Sequence, residues 1–271
     1  MRQISDFVSD TKSDKSGYED NYAEYMLCLA LDIGEGILRY GGEINRVEDT
    51  IERICKAYGA AHVEIFAIPS VIIAAVRMSD GEYSSQIRRI HTIENNLAKI
   101  ERFNAISYTI CRETPSLEEV DRMIHEAKTQ RMMPTWVAFF GAAIAAGSFA
   151  VFFGGSWRDG IVACFIGAFM TLLDKIKVKQ VNRFAKTALQ SFFGGLLSYL
   201  SVIFGLGDNA GMIIIGTIML LIPGVYFGTA LRDLLCGDFL AGSLKTVQAL
   251  LIALMIAFGY LLAMLVTGGA L

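Results

Sequence analysis

The sequence predicts an α-helical integral membrane protein with five transmembrane helices and an N-terminal cytosolic α+β domain. Hydrophobic residues make up 54% of the 271 positions and charged residues only 19%, and the mean hydropathy of +0.46 exceeds that of a soluble domain with a solvated surface. Most charges lie in residues 1–133, whereas long uncharged runs follow from Pro134 onward. Within the stretch 220–245, an apolar run is broken by Pro223-Gly224 and then becomes charged.

Composition excludes several classes of function. A net charge of −3 and a pI near 5.7 argue against a nucleic-acid partner, which needs a concentrated basic face. The five cysteines form no CxxC pair, so neither a disulfide framework nor a zinc site is predicted. Without a GxxxxGK[ST] or HExxH motif, we expect no cofactor, no metal and no enzymatic activity. The N-terminus has no apolar core of a signal peptide, so we expect it to be cytosolic.

The charged N-terminal part is predicted to form a disordered tail and a small domain. Residues 1–17 are polar with little to bury, so we expect them to be disordered. Apolar residues then recur at helical spacing until Gly41-Gly42, where glycine allows the left-handed C-cap that ends a helix. Two β-branched or apolar-rich runs on either side of Pro69-Ser70 predict paired strands. The cytosolic domain, 18–133, is predicted to contain helices over 18–40, 43–58, 92–112 and 115–130 and strands over 61–67, 71–78 and 82–90.

The membrane domain, residues 134–271, is predicted from uncharged runs. A crossing needs about 20 apolar residues, and the second run, between Asp159 and Asp174, is shorter, so its full crossing stays open. Basic residues concentrate in the loop 174–186, whereas the outer loops offer only Arg158. This asymmetry predicts a cytosolic N-terminus and an external C-terminus in the cell membrane. The predicted segments are about 134–153, 158–175, 187–207, 209–231 and 246–268.

The interrupted helix predicts a transport pathway. Pro223 lacks a backbone N–H, and its ring clashes with the carbonyl of Met219, which in hydrocarbon needs another partner. Helices broken in this way line substrate cavities in secondary transporters. Thr229, Asp233 and Gly237 fall at four-residue spacing, which places them on one helical face. The alternative is that Arg232, Asp233 and Asp238 merely mark the water boundary.

Charged residues also follow the first predicted helix. Glu43, Arg46, Asp49 and Arg53 occur at three- and four-residue offsets. This spacing predicts solvated ion pairs along a helix. Glu43 and Arg46 are in addition candidates for a regulatory site.

Several motifs together resemble the threonine/serine exporter family, and more narrowly the larger, YjjP-type component of its two-part form. The resemblance covers nearly the whole chain after about residue 20. The motifs are Gly41-Gly42-Glu43 with Arg46-Val47-Glu48, the loop Gly154-Gly155-Ser156-Trp157-Arg158-Asp159-Gly160, and Pro223-Gly224 followed by Asp233, Gly237 and Gly242.

The resemblance implies a hetero-oligomer in which a cytosolic domain and five membrane helices work with a smaller membrane partner, here expected to be a separate chain. It implies export of threonine and serine, or of dicarboxylates such as succinate, driven by proton-motive force. The predicted substrate-pathway residues, from the break and from the resemblance, are Pro223, Gly224, Thr229, Arg232, Asp233, Gly237 and Gly242.

Two hypotheses of different class follow. In the first, polar groups around Thr217, Thr229 and the opened turn at Met219 contact the substrate, and Asp233 carries a proton or pairs a substrate amine. In the second, the membrane part is an anchor or scaffold, and the soluble domain, tested as residues 18–130, regulates. A membrane enzyme is a distant third. The GxGD string ending at Asp208 resembles that of intramembrane aspartyl proteases, but we expect Asp208 at the outer face and Asp174 at the inner face, too far apart to share a proton.

Overall fold

A computed structural model of the protein describes residues 22–91, 93–129, 134–175 and 182–268. Those residues form ten helices and one three-stranded antiparallel sheet. They divide into two compact units. The first unit joins Met1–Met132 to a later stretch, Thr229–Leu244, and the second unit joins Met133–Gly228 to Lys245–Leu271. The tail predicted to be disordered, 1–17, lies outside the described residues.

The first unit is built around its first helix. Eleven residues of this helix are buried, and they contact the second helix, the sheet and the two helices that follow. Two glycines of this helix allow the close packing, because a side chain at Gly34 would overlap Ile51 and one at Gly36 would overlap the ring of Phe103. The elements are α1 (Tyr22–Arg39), α2 (Ile44–Ala57), β1 (Ala60–Ile68), β2 (Val71–Met78), β3 (Tyr83–Arg89), α3 (Leu97–Glu113) and α4 (Leu117–Thr129).

The ends of these helices follow from local chemistry. Gly41 adopts a φ of +96°, and Gly42 donates its backbone N–H to the carbonyl of Ile37 at 2.9 Å, which is the Schellman closure that ends α1. The predicted helix 92–112 begins later, at Leu97, because Asn96 caps it by accepting the N–H of Lys99 at 3.1 Å. The N-cap therefore, and not the apolar periodicity, sets that start.

The sheet has one covered face and one open face. Along β2, alternate residues Ile72, Ala74 and Val76 are buried against the helices. On the other face the strand register places Phe66, Ile73 and Ile87 in one row. All three of these side chains are largely exposed.

The second unit contains apolar helices and most of one interrupted helix. Among the described residues, only Phe239–Val266 is both long and apolar enough to cross a membrane, and Trp136–Phe152 is a shorter apolar helix. The predicted segment 209–231 is divided in two by residues 219–223. The remaining elements are α5 (Thr135–Phe152), α6 (Trp157–Lys175), α7 (Arg183–Ile203), α8 (Ala210–Ile218), α9 (Gly224–Leu235) and α10 (Phe239–Val266).

Both α9 and α10 contribute residues to each of the two units. The part of α9 up to Gly228 belongs to the second unit and the remainder to the first, and α10 leaves the first unit after Leu244. The stretch Thr229–Leu244 is called the return segment below.

A buried carboxylate fixes one end of the second unit. Asp159, 1% exposed, accepts the N–H of Ser156 at 2.9 Å, while its own N–H donates to the Ser156 hydroxyl at 3.2 Å, the reciprocal pattern of a capping box. Its other oxygen accepts the N–H groups of Asp208 at 2.7 Å and Asn209 at 3.0 Å. One carboxylate therefore joins the start of α6 to the loop before α8.

Candidate functional site

The helix interruption is an ordered turn. The carbonyl of Ile218 accepts the N–H groups of Leu221 at 2.8 Å and Ile222 at 3.1 Å, and Gly224 donates back to Ile222 at 2.8 Å. The first half of the helix thus ends at Ile218, with Met219 as its C-cap, as expected of a helix that cannot continue into a proline. Non-helical backbone of this kind at membrane depth is tolerated where it lines a cavity or is buried in protein.

A polar pair lies directly beside this turn. The Thr217 hydroxyl donates to the carbonyl of Ile214 at 2.9 Å and lies 3.0 Å from the Tyr260 hydroxyl. Either hydroxyl can be the donor in this pair. The Thr217 side chain, predicted to contact substrate, is fully buried. Whichever hydroxyl donates, the Tyr260 oxygen keeps at least one lone pair that this hydrogen bond does not use.

Helix α7 supplies a small and polar surface against Tyr260. A side chain at Gly194 would lie 3.2 Å from the Tyr260 hydroxyl, and one at Gly195 would overlap the tyrosine ring. Gln190 donates its amide to the carbonyl of Met170 at 3.3 Å. The buried residues of α7 are all polar or glycine: Gln190, Ser191, Gly194, Gly195, Ser198 and Ser201.

Sequence reasoning missed this α7 surface and Tyr260. A signal was present, because small and polar residues recur at three- and four-residue spacing through an otherwise apolar segment, as they do where membrane helices pack closely. The neutral polar groups of Gln190, Thr217 and Tyr260, together with the turn over 219–223, form the candidate site of the second unit.

The return segment forms a helical hairpin within the first unit. Asp233 is 1% exposed, and Ala241 joins the apolar core of that unit. A side chain at Gly242 would overlap Leu234, so the two arms of the hairpin pack closely. Asp233 is therefore a buried carboxylate within a closely packed hairpin.

The prediction that Gly237 shares a helical face with Asp233 is wrong. α9 ends at Leu235, and Gly237 has a φ of +97°. The N–H of Gly237 donates to Leu234 at 3.2 Å, and that of Asp238 donates to Asp233 at 2.9 Å. This is a Schellman motif, in which glycine supplies the left-handed residue that reverses the chain.

An ion pair links the return segment to the start of α2. Arg232 Nη1 lies 2.9 Å from Glu43 Oε1, with the arginine 64% exposed and the glutamate 16%. The predicted ion pair on α2 forms between Asp49 and Arg53, at 2.9 Å. Glu43 instead pairs with a residue 189 positions away, which spacing along one helix cannot reveal. Arg46 is exposed.

Glu48, on α2, is close enough to the hairpin for its pKa to respond to the charge of Asp238. Glu48 accepts the N–H of Ala67 at 2.7 Å, which holds α2 to β1. Burial raises the pKa of Glu48, the hydrogen bond from Ala67 opposes that rise, and the negative charge of Asp238 adds to it. The environment of Glu48 thus favours its protonated form more than water does.

The structure distributes the predicted pathway residues over both units. Those in the second unit are Pro223 and Gly224, and those in the first unit are Thr229, Arg232, Asp233, Gly237 and Gly242. Within the first unit, the hairpin brings Arg232 to Glu43, which was predicted as regulatory.

Comparisons with known proteins place the chain in a family. The family model described as "Putative threonine/serine exporter" matches residues 28–267. A Mycobacterium tuberculosis protein named "Probable threonine/serine exporter" is 20% identical over 92% of this chain and 47% of its own length. A Corynebacterium glutamicum "Threonine/serine exporter" is 23% identical over 83% of this chain and 48% of its own length.

A third relative is of similar length. The Klebsiella aerogenes protein named "Probable succinate transporter subunit YjjP" is 22% identical over 86% of this chain and 90% of its own length. The chain thus spans about half the length of the mycobacterial and corynebacterial relatives. No solved structure matches it. Because the family model covers most of its length, the chain belongs to the threonine/serine exporter family of membrane transporters.

Proposed function

We propose that the protein is a membrane transporter subunit that exports small polar metabolites, specifically threonine- and serine-type amino acids. The observation that carries the proposal is the interrupted helix over 219–223, which lies beside the Thr217–Tyr260 pair. Interruptions of this kind in secondary transporters expose backbone groups to a solute near the bilayer midplane. Membership of the exporter family supports the same conclusion.

The chemistry of the candidate site suits a zwitterion. The polar side chains described there belong to Gln190, Thr217 and Tyr260, which are a neutral amide and two hydroxyl groups. A zwitterion has no net charge, so it needs paired donors and acceptors more than a counter-ion. The Tyr260 oxygen accepts from a substrate ammonium, and the first amides of α9, at the positive end of the helix dipole, suit a carboxylate.

Energy coupling and the partner belong to the same proposal. Export is driven by proton-motive force, and Asp233 is the group that carries a proton or pairs a substrate amine. Its burial supports that role, because burying a carboxylate costs free energy and such groups often have a function. The protein lies in the cell membrane with a cytosolic N-terminus, an external C-terminus and five crossings. A smaller membrane subunit of the same family supplies further helices, which agrees with relatives about twice as long.

A dicarboxylate of the succinate type is the second candidate substrate. It is favoured by the Klebsiella relative, whose length this chain nearly matches, and by Lys245, a cation only 5% exposed in the second unit. A dicarboxylate carries two negative charges and needs cations where it binds, whereas the groups around Tyr260 are neutral.

The test is efflux of labelled threonine, serine and succinate from cells that express the chain together with a smaller family subunit. We expect loss of threonine and serine efflux in Tyr260→Phe, because the substituted ring keeps its shape but has no oxygen to accept from the ammonium. Tyr199→Phe, the same change at a half-buried position of α7, is the matched control. Full efflux by Tyr260→Phe would refute this site, and efflux of succinate alone would establish the second candidate.

A further inference from the structure

The first unit contains a small polar cavity that the transport proposal does not use. Its volume is about 220 Å³, below the roughly 300–1,000 Å³ of pockets that hold drug-sized ligands. At about 30 Å³ for each water molecule, it equals about seven waters, the scale of a small metabolite. The cavity lies among α1, α3 and α4 and is lined by Glu35, Gly36, Arg39, Tyr40, Phe103 and Lys128.

Charges of both signs line the cavity at separate positions. Glu35 and Arg39 lie four residues apart on α1, a spacing that places both on one face about 6 Å apart. Across the part of the chain that the structure describes, Arg39 forms no ion pair, and the nearest cationic nitrogen to Glu35 is Arg88 Nε at 4.0 Å. Lys128, by contrast, is held by Asp32 at 2.7 Å. The α1 carboxylate and guanidinium are therefore the groups with capacity for a ligand.

Aromatic rings and a hydrogen-bonded lysine fix the walls. A side chain at Gly36 would lie 2.6 Å from the Phe103 ring, so glycine is what lets that ring lie against α1. The Tyr40 and Phe103 rings stack at 6.1 Å between centroids. Lys99 donates to the Tyr40 hydroxyl at 3.2 Å and to the carbonyl of Lys128 at 2.9 Å. The cavity is therefore preformed by packing that spans three helices.

We propose that this cavity binds a small zwitterionic α-amino acid. The carboxylate pairs with Arg39, the ammonium pairs with Glu35, and the side chain lies against the Tyr40 ring. A dicarboxylate or phosphate would bring a second negative charge to Glu35, and a diamine would bring a second positive charge to Arg39, so both are disfavoured.

The site lies in the first unit and the transport candidate lies in the second. A role for the cavity in sensing cytosolic amino acid to control export rests on the proposed function. Binding itself does not rest on it.

Isothermal titration calorimetry of the full-length protein in detergent with L-threonine tests the proposal. We expect Glu35→Gln and Arg39→Gln each to weaken binding by about tenfold or more, as the loss of a charge-assisted contact predicts. Two exposed residues at the end of α3, Arg112 and Glu113, which do not line the cavity, give matched controls. Glu113→Gln and Arg112→Gln should bind as the wild type does. Threonine methyl ester should lose affinity for the wild type but little more for Arg39→Gln, because both changes remove the same contact.

The outcomes separate this site from the transport site. Equal threonine affinity in the wild type, Glu35→Gln and Arg39→Gln would overturn the proposal, as would tighter binding of succinate than of threonine. Binding that is lost only in Tyr260→Phe would assign the ligand to the second unit and overturn the cavity proposal while the proposed function stands. Binding that depends on Glu35 and Arg39 in a protein without efflux would do the reverse.

Discussion

Replacing Asp159 should destabilise the second unit more than any exposed carboxylate does. In the wild type its two oxygens accept three backbone N–H groups, from Ser156, Asp208 and Asn209, at 2.7–3.0 Å. Asp159→Ala leaves three amides without that acceptor, each costing about 1–3 kcal/mol when buried. Because such losses are not additive, we expect a total of about 3–6 kcal/mol. Asp159→Asn keeps one acceptor oxygen but turns an N–H₂ toward a donor, so its cost should be about 1–3 kcal/mol.

Denaturant titration of the purified protein in detergent measures this effect. Trp157 lies between Ser156 and Asp159 at the start of α6, so its fluorescence should report the unfolding of this region. The matched control is Asp174→Asn, which removes an ion pair with Lys186. Because the Asp174 side chain is 68% exposed, its loss should lower the free energy of unfolding by less than about 1 kcal/mol. If Asp159→Ala unfolds at the wild-type midpoint, or no earlier than Asp174→Asn, the carboxylate does not hold the two loops together.

Two further predictions concern carboxyl groups of the first unit, one buried and one half-buried. Asp233→Asn should abolish export while membrane expression, measured by immunoblot, stays normal; unchanged efflux would remove Asp233 from the mechanism. Glu48→Gln should reduce the pH dependence of stability. The pKa of Glu48 is raised above its ordinary value of 4.5 by burial and by Asp238, so its contribution is present below that value and is lost as pH rises through the raised pKa. Unfolding curves at a series of pH values from about 4 to 7 measure it, and equal slopes in variant and wild type would contradict it.

Much of the fold was predictable because its signals are local. The β-branched and apolar run at 71–78 forms β2, Gly41 ends α1 through its own backbone freedom, and a proline at 223 interrupts a helix whatever surrounds it. Each of these features depends on a few adjacent residues. The secondary structure of both units could therefore be read from short stretches.

The candidate sites were less predictable because their partners are distant. Glu43 meets Arg232, and Thr217 meets Tyr260, contacts that depend on how whole helices pack. Helical spacing also failed at Gly237, where the helix had already ended. The cavity beside Arg39 was missed for the same reason, since its walls come from three separate elements.

The return segment has a consequence for biosynthesis. The core of the first unit includes Ala241, so a nascent chain that has emerged only as far as residue 132 lacks a piece of its own interior. The ribosome must make the intervening helices before that piece exists. Excision of residues 18–130 for expression would leave the same gap, and splicing Thr229–Leu244 back through a flexible tether should restore solubility.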